Sequence, residues 1–292
     1  MKCKPKIDFG WMHPRTVLGI LLAVGVIVSS PDASAQISSK AHNQRTLKEL
    51  RRSLMMDPKA ALTGASGLEI ELKQQQPTDA NLAARAETIW VQAEAELRLE
   101  NYPRAKSLLD LAEGTIRSVD GATKVRADIE LSRGALAMKQ DDAAGALAHL
   151  HSAFNKYRQS GDGRGQSVAL QNIAALYTIA NDNIQAEKYY REAGEVYDGD
   201  VILSIYLGNN LGNVLLQLER YKDAEQQYSK ALKGAEKIGS KTLQARVYGN
   251  LARSRLESGD LVGSGRFLQK GFQDAVIDDD SIVLSTLMAT KA

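Results

Sequence analysis

The chain has 292 residues, of which 43% are hydrophobic and 25% charged, a composition typical of globular rather than disordered proteins. Four of its 37 basic and two of its 35 acidic residues lie within residues 1–35, so the remainder carries 33 of each sign and no net charge. This balance excludes a polybasic surface for nucleic acid or anionic lipid beyond residue 35.

Residues 1–35 have the pattern of a secretory signal peptide. Basic residues come first, an apolar run of 12 residues follows at Val17–Val28, and Ala33-Ser34-Ala35 precedes Gln36. Small residues at positions −3 and −1 predict cleavage between Ala35 and Gln36, and hence a periplasmic or secreted product. An uncleaved N-terminal anchor is the alternative, although crossing a bilayer takes about 20 apolar residues. No second run of that length follows, so the mature chain is predicted not to insert into a membrane.

Beyond the signal peptide, apolar residues recur at helical spacing and turn residues separate the helices. The pattern predicts a helical hairpin within residues 36–78, whose second helix starts at Asp57-Pro58. Five helix pairs follow within 79–277, at about 79–118, 120–160, 163–197, 200–238 and 241–275. Residues 278–292 are predicted to form a C-terminal capping or truncated helix.

The five pairs form a sequence repeat with a period near 40. A small residue opens each copy, at Ala93, Gly134, Ala174, Gly212 and Ala252. Twelve residues later come Ala105, Ala146, Ala186, Ala224 and Ser264. Four further on lie Leu109, Leu150, Tyr190, Tyr228 and Leu268, and three beyond those lie Ala112, Ala153, Ala193, Ala231 and Gly271. Small residues let two helices approach closely while large ones fill the space beside them, so the pattern predicts antiparallel helix pairs.

This small-Tyr-Ala-aromatic-Ala order resembles the tetratricopeptide (TPR) repeat, most closely from Gly212 to Ala231. The period near 40 exceeds the usual 34 and is similar to long-helix TPR variants of the MalT kind. The resemblance implies an all-α fold, a TPR-like right-handed superhelical solenoid of antiparallel helix pairs.

A narrower resemblance covers the whole chain, including Glu195–Asp200 and Asn209–Asn213. It is to the periplasmic N-terminal TPR sensor region of membrane-bound bacterial diguanylate cyclases, in which a transmembrane helix and a GGDEF catalytic domain follow the repeats. The sequence contains no such catalytic part. The resemblance therefore implies extracytoplasmic sensing or scaffolding, and it does not imply cyclase activity.

The sequence gives no support for catalysis. His149 and His151 are two residues apart on a predicted helix and point to different faces, so they are not expected to share a metal ion. Gly161–Gly165 is glycine-rich, but it follows a helix and lacks the lysine of a phosphate-binding loop. We predict a non-enzyme with no catalytic residue, no metal site and no cofactor.

In TPR-like arrays the first helix of each pair lines a concave groove, at a position two residues before the first small residue. Here that position holds Val91, Ser132, Asn172, Asn210 and Asn250. A carboxamide can both donate to and accept from a peptide backbone. The predicted partner-binding residues are Asn172, Asn210, Asn213 and Asn250, flanked by Gln171, Tyr206, Arg246 and Arg253. Two alternatives stay open: the asparagines could bond between repeats, or have no role.

The sequence therefore predicts an exported, non-catalytic TPR scaffold that binds a peptide or protein, and no nucleic acid. The alternative is the sensor region of a diguanylate cyclase-type signalling protein that lacks its output domain.

Overall fold

The computed structural model describes residues 31–277 and Met288. Two compact units divide the chain, Met1–His42 and Asn43–Ala292. The described part of the first unit is the start of a helix, which contains Ala35 and Gln36. Most of the predicted signal peptide and the predicted C-terminal helix, apart from Met288, lie outside the described residues. All contacts given below belong to the second unit.

The described residues contain twelve α-helices and no strand. Their bounds are α1 Pro31–Met56, α2 Pro58–Lys73, α3 Asp79–Arg98, α4 Tyr102–Thr115, α5 Thr123–Lys139, α6 Ala143–Gln159, α7 Gly163–Ile179, α8 Asn183–Val196, α9 Val201–Gln217, α10 Tyr221–Lys237, α11 Lys241–Glu257 and α12 Leu261–Ile277. From α3 onward, each odd-numbered helix packs against the even-numbered helix that follows it. Odd-numbered helices of successive pairs also contact one another, whereas the even-numbered helices α4 to α12 do not.

The repeated positions of the sequence form the contacts inside each pair. All residues at the four positions are buried, and most of the alanines are fully inaccessible. A Cβ atom at Gly134 would lie 2.7 Å from Cγ of Leu150, and one at Gly212 would lie 2.4 Å from Cε1 of Tyr228. The first position of each repeat therefore requires a small residue, because the large residue sixteen positions later packs directly onto its backbone.

The turns inside the five pairs α3–α4 to α11–α12 share one geometry. In the last pair, the backbone N–H of Asp260 donates to the carbonyl of Arg255, five residues earlier. The equivalent bond is present in all five turns at 2.8–3.0 Å, and its donor lies eight residues after the first small residue of the repeat. The residue before this donor has a positive φ, and these residues are Glu100, Asp141, Asn181, Glu219 and Gly259. This is the Schellman arrangement, which satisfies the last carbonyls of the first helix.

Candidate functional site

The predicted row of groove positions extends one helix further back than the repeat analysis reached. Arg51 of α1 precedes Val91 by 40 residues, which is the spacing of the row. We use the term first-helix row for the six residues Arg51, Val91, Ser132, Asn172, Asn210 and Asn250. Contacts between successive odd-numbered helices from α3 to α11 place the last five residues along one side of the array, and Arg51 joins them through its bonds to α3 and α5.

The beginning of the first-helix row is closed by an ion-pair network around Arg51. Its guanidinium donates from Nε to Oε1 of Glu87 and from Nη2 to Oδ2 of Asp128, both at 2.7 Å. It also lies 4.3 Å from the ring centre of Trp90. Burial acts to lower the pKa of Arg51, but the carboxylates of Asp128 and Glu87 outweigh it and raise that pKa. Arg51 therefore stays charged and ties α1 to α3 and α5.

The same network covers the next two positions of the row. The indole N–H of Trp90 donates to Oγ of Ser132 at 2.8 Å and to the carbonyl of Asp128 at 3.1 Å. Val91 is fully buried and Ser132 is 1% exposed. The hydroxyl of Tyr157 donates to Oδ1 of Asp128 at 2.6 Å, and burial together with that carboxylate raises the pKa of Tyr157. Val91 and Ser132 therefore offer no open polar position to a partner.

The three asparagines of the row remain half-buried, but they have different partners. Nδ2 of Asn172 donates to the carbonyl of Val168 in its own helix at 2.9 Å. Nδ2 of Asn250 donates to Oδ1 of Asn209 at 2.7 Å, across the boundary between two repeats. Asn210 has no hydrogen-bond partner among the residues that the structure describes. Of these three asparagines, Asn250 is the one that bonds between repeats in the described part of the chain.

Three of the other predicted binding residues, Asn213, Gln171 and Arg253, also have partners within the chain. Oδ1 of Asn213 accepts from the hydroxyl of Tyr228 at 2.7 Å, and Gln171 is buried, with Nε2 3.4 Å from Oγ of Ser167. Gln171 therefore does not lie on the accessible side, because adjacent helical residues point about 100° apart. Arg253 is exposed and pairs with Glu257 at 2.7 Å.

Two predicted residues flank the accessible end of the row without a polar partner. Tyr206 is half-buried against the core, and its hydroxyl makes no hydrogen bond in the described chain. Arg246 is exposed and forms no ion pair within residues 40–275. Tyr206 lies one helical turn before Asn210, and Arg246 lies one turn before Asn250. The accessible polar surface of the row is thus concentrated on α7, α9 and α11.

Sequence reasoning missed two residues that shape the first-helix row. Arg51 could have been found by extending the 40-residue spacing backward, since Ser53 stands where the first small residue is expected. Asn209 has no comparable sequence pattern, because its role depends on its contact with Asn250 of the next repeat.

Among the described residues, no group of three or more histidine, cysteine and acidic side chains is arranged to hold a metal ion. Along residues 31–277, no helix combines the length and the apolar character needed to span a bilayer.

Comparison with known proteins identifies the fold. The family described as tetratricopeptide repeat matches residues 202–263, from α9 into the start of α12. The fold is a TPR-like helical solenoid. This confirms the predicted fold class, since the helix pairs, their period and the family match agree. No curated protein is significantly similar in sequence to the chain.

Three solved structures illustrate the likeness. BtubC (BKLC) from P. vanneervenii has a TM-score of 0.62 at 17% identity, over 82% of this chain and 91% of that chain. NprR in complex with its cognate peptide NprX has a TM-score of 0.57 at 16% identity, over 86% of this chain and 72% of that chain. A signal transduction ATPase with a tetratricopeptide repeat sensor, from Pyrococcus horikoshii, has a TM-score of 0.66 at 16% identity, over 89% of this chain and 44% of that chain.

Proposed function

We propose that this protein is a non-catalytic scaffold that binds a peptide or protein segment along the first helices α7, α9 and α11. The observation that carries the proposal is the carboxamide of Asn210, which is half-exposed and has no hydrogen-bond partner in the described chain. An asparagine inside a helix is less favourable than alanine by up to about 0.7 kcal/mol. A partner's backbone would offset this cost by bonding to both ends of the amide.

The neighbours of Asn210 suit an extended backbone. The bond between Asn250 and Asn209 fixes the Asn250 amide, whose Oδ1 is left available to accept from a peptide N–H. Arg246 adds a positive charge without an internal ion pair, which favours a partner with a carboxylate near α11. NprR, whose fold is similar, was solved in complex with a peptide, and this also supports a peptide as the partner.

A photo-crosslinking experiment tests this assignment. A photoreactive amino acid replaces Arg246, and a matched control chain carries it at Lys222, an exposed residue of α10. We expect a crosslinked partner from periplasmic extract at position 246, a loss of that product with Asn210→Ala, and no product at position 222. Equal products at both positions, or a product that Asn210→Ala leaves unchanged, would refute binding along this surface.

We further propose that the protein is exported and cleaved between Ala35 and Gln36. The support is the sequence pattern of residues 1–35. N-terminal sequencing of the protein from its native host should begin at Gln36. Recovery of an intact Met1 form from the cytoplasm would contradict export.

The second proposed role is that of a sensor region that controls a signalling output such as a diguanylate cyclase. The likeness to an ATPase with a TPR sensor favours it, because there the matched part is 44% of a longer chain. Genomic sequence beyond the codon for Ala292 discriminates the two roles. An in-frame continuation into a transmembrane helix and a GGDEF domain would establish the sensor role.

A further inference from the structure

A second groove lies on α9 away from the first-helix row. It has a volume of about 770 Å³ and lies between α8 and α10, with α9 as its floor. Val201, Ile205, Leu207 and Leu211 supply an apolar floor, and Val201 and Leu207 are only half-buried. Leu207 of this groove lies three residues before Asn210 of the first-helix row, on a neighbouring part of the α9 surface. The α10 wall of the groove contributes no residue to that row, so substitutions on α10 test this surface independently.

The local sequence explains why the groove is open here. Helix α8 ends at Val196 and has 14 residues, whereas its counterpart α10 has 17 and ends at Lys237. The chain leaves α8 through Tyr197, whose φ of −158° and ψ of 125° are extended, so nothing continues the α8 wall beside the start of α9. Gly194 and Gly234 let the two walls pack closely on the floor, since an added Cβ atom would lie 3.1 Å from Cδ2 of Leu207 at the first position and 2.8 Å from Cγ1 of Ile205 at the second.

The α10 wall carries three lysines in one row. Lys230, Lys233 and Lys237 line the groove, all three are exposed, and their spacing puts them on one face of α10. Ion pairs of lysines in the described chain involve Lys73, Lys124 and Lys241, so the three groove lysines have none. Such a row places three positive charges along one wall of the groove.

The α8 wall has the opposite character. Glu195 and Asp198 are exposed carboxylates at its end, and Arg191 is engaged by Glu187 at 2.8 Å. The groove is therefore apolar along its floor, positive along α10 and negative at the end of α8. A ligand that fits all three features has an apolar stripe with carboxylates along one edge only.

We propose that this groove docks an amphipathic helix of a partner protein, oriented so that a row of Asp or Glu residues faces Lys230, Lys233 and Lys237. A helix lying between two helices buries its apolar stripe on α9. The lysine row spans about 10 Å, or two turns, so carboxylates spaced at i, i+3 or i+4, and i+7 match it. This site adds a second partner surface to the scaffold.

Selection from a displayed library of single helices tests the proposal. Binders are selected on the wild-type protein alone, and each enriched helix is then measured against the wild type and the variant Lys230→Glu/Lys233→Glu/Lys237→Glu. We expect enriched helices with an apolar stripe and acidic residues along one edge, binding the reversed variant at least about tenfold more weakly. A triple Lys→Gln variant at the same sites should fall between wild type and the reversed variant, since it removes attraction without adding repulsion.

Matched controls separate this surface from the rest of the molecule. Lys59→Glu/Lys106→Glu/Lys139→Glu makes the same charge change at exposed residues elsewhere and should leave binding unchanged. Asn210→Ala should also leave binding unchanged, so failure of the first-helix proposal would not affect this one. Enriched helices that lack carboxylates, bind the reversed variant equally well, or never arise would overturn the proposal.

Discussion

The carboxamide of Asn250 donates to Oδ1 of Asn209 at 2.7 Å, and this bond joins α11 to α9 across a repeat boundary. Asn209 is only 7% exposed, so its oxygen has little access to water as a replacement donor. Asn210, the adjacent residue, is half-exposed and has no partner in the described chain. Two neighbouring asparagines thus have different roles, one in holding repeats together and one on the accessible surface.

Single alanine substitutions should separate these roles. Asn250→Ala leaves the buried oxygen of Asn209 unpaired, which costs about 1–3 kcal/mol and exceeds the gain in helix propensity of up to about 0.7 kcal/mol. Asn210→Ala loses no internal bond and should leave the free energy of unfolding unchanged or slightly higher. Urea titrations measure both. A loss of stability in Asn210→Ala as large as that in Asn250→Ala would assign both residues to the stack.

Breaking the Arg51 network should destabilise the N-terminal end of the array. In Arg51→Met the carboxylate of Asp128, whose side chain is 6% exposed, loses its guanidinium partner. We expect a loss of about 3 kcal/mol, near the lower end for breaking a buried pair, because the Arg51 side chain is 28% exposed. Arg52→Met, at an exposed neighbour, is the control and should change little.

The double variant Arg51→Met/Asp128→Asn identifies the cause. It removes the uncompensated charge while keeping an oxygen that can accept from Tyr157. Part of the lost stability should return, as measured by urea unfolding. A double variant that recovers no stability relative to Arg51→Met would show that the uncompensated charge of Asp128 is not the cause of the loss.

The helix pairing could be predicted from the sequence because it depends on the spacing of small and large residues. The spacing of Gly134 and Gly212 from Leu150 and Tyr228 is a local pattern, and it determines which helix faces meet. The same logic fails for the site. Arg51 reaches Asp128 across 77 positions, and no local periodicity encodes that pairing. Likewise, only the packing of α11 on α9 decides that Asn209 is buried while Asn210 is not.

The repeated turn provides a test of the repeat register. Gly259 has a φ of 86°, and the other four turns have Glu, Asp or Asn at a φ near 60°. Gly259→Ala should lower the free energy of unfolding by about 1–2 kcal/mol through backbone strain alone, since no atom lies within 4 Å of the added Cβ.

The opposite change is the control for this turn. Glu219→Gly relieves a left-handed glutamate and should stabilise the protein, by less than the full strain because glycine also loses more conformational entropy on folding. Thermal unfolding compares the two variants. If both changes acted in the same direction, backbone strain would not govern these turns.

Acid should weaken the link between α5 and α7 through Asp162. Its Oδ1 accepts from the Gly165 amide at 2.8 Å, and its other oxygen pairs with Lys124. Burial acts to raise the pKa of Asp162, but the Lys124 bond and the Gly165 amide outweigh it and hold the pKa below its ordinary 3.8. A depressed folded-state pKa means that the carboxylate stabilises the fold above about pH 4 and loses this contribution as the pH falls below it.

Asp162→Asn isolates that contribution, because asparagine still caps α7 but carries no charge. The variant should have a lower thermal midpoint than wild type at pH 7, and the two midpoints should converge as the pH falls through and below 3.8. Asp120→Asn, at an exposed residue, is the control for the loss of one carboxylate. A difference between wild type and Asp162→Asn that stays constant from pH 7 into the acid range would mean that the cap geometry, rather than the ion pair with Lys124, stabilises this joint.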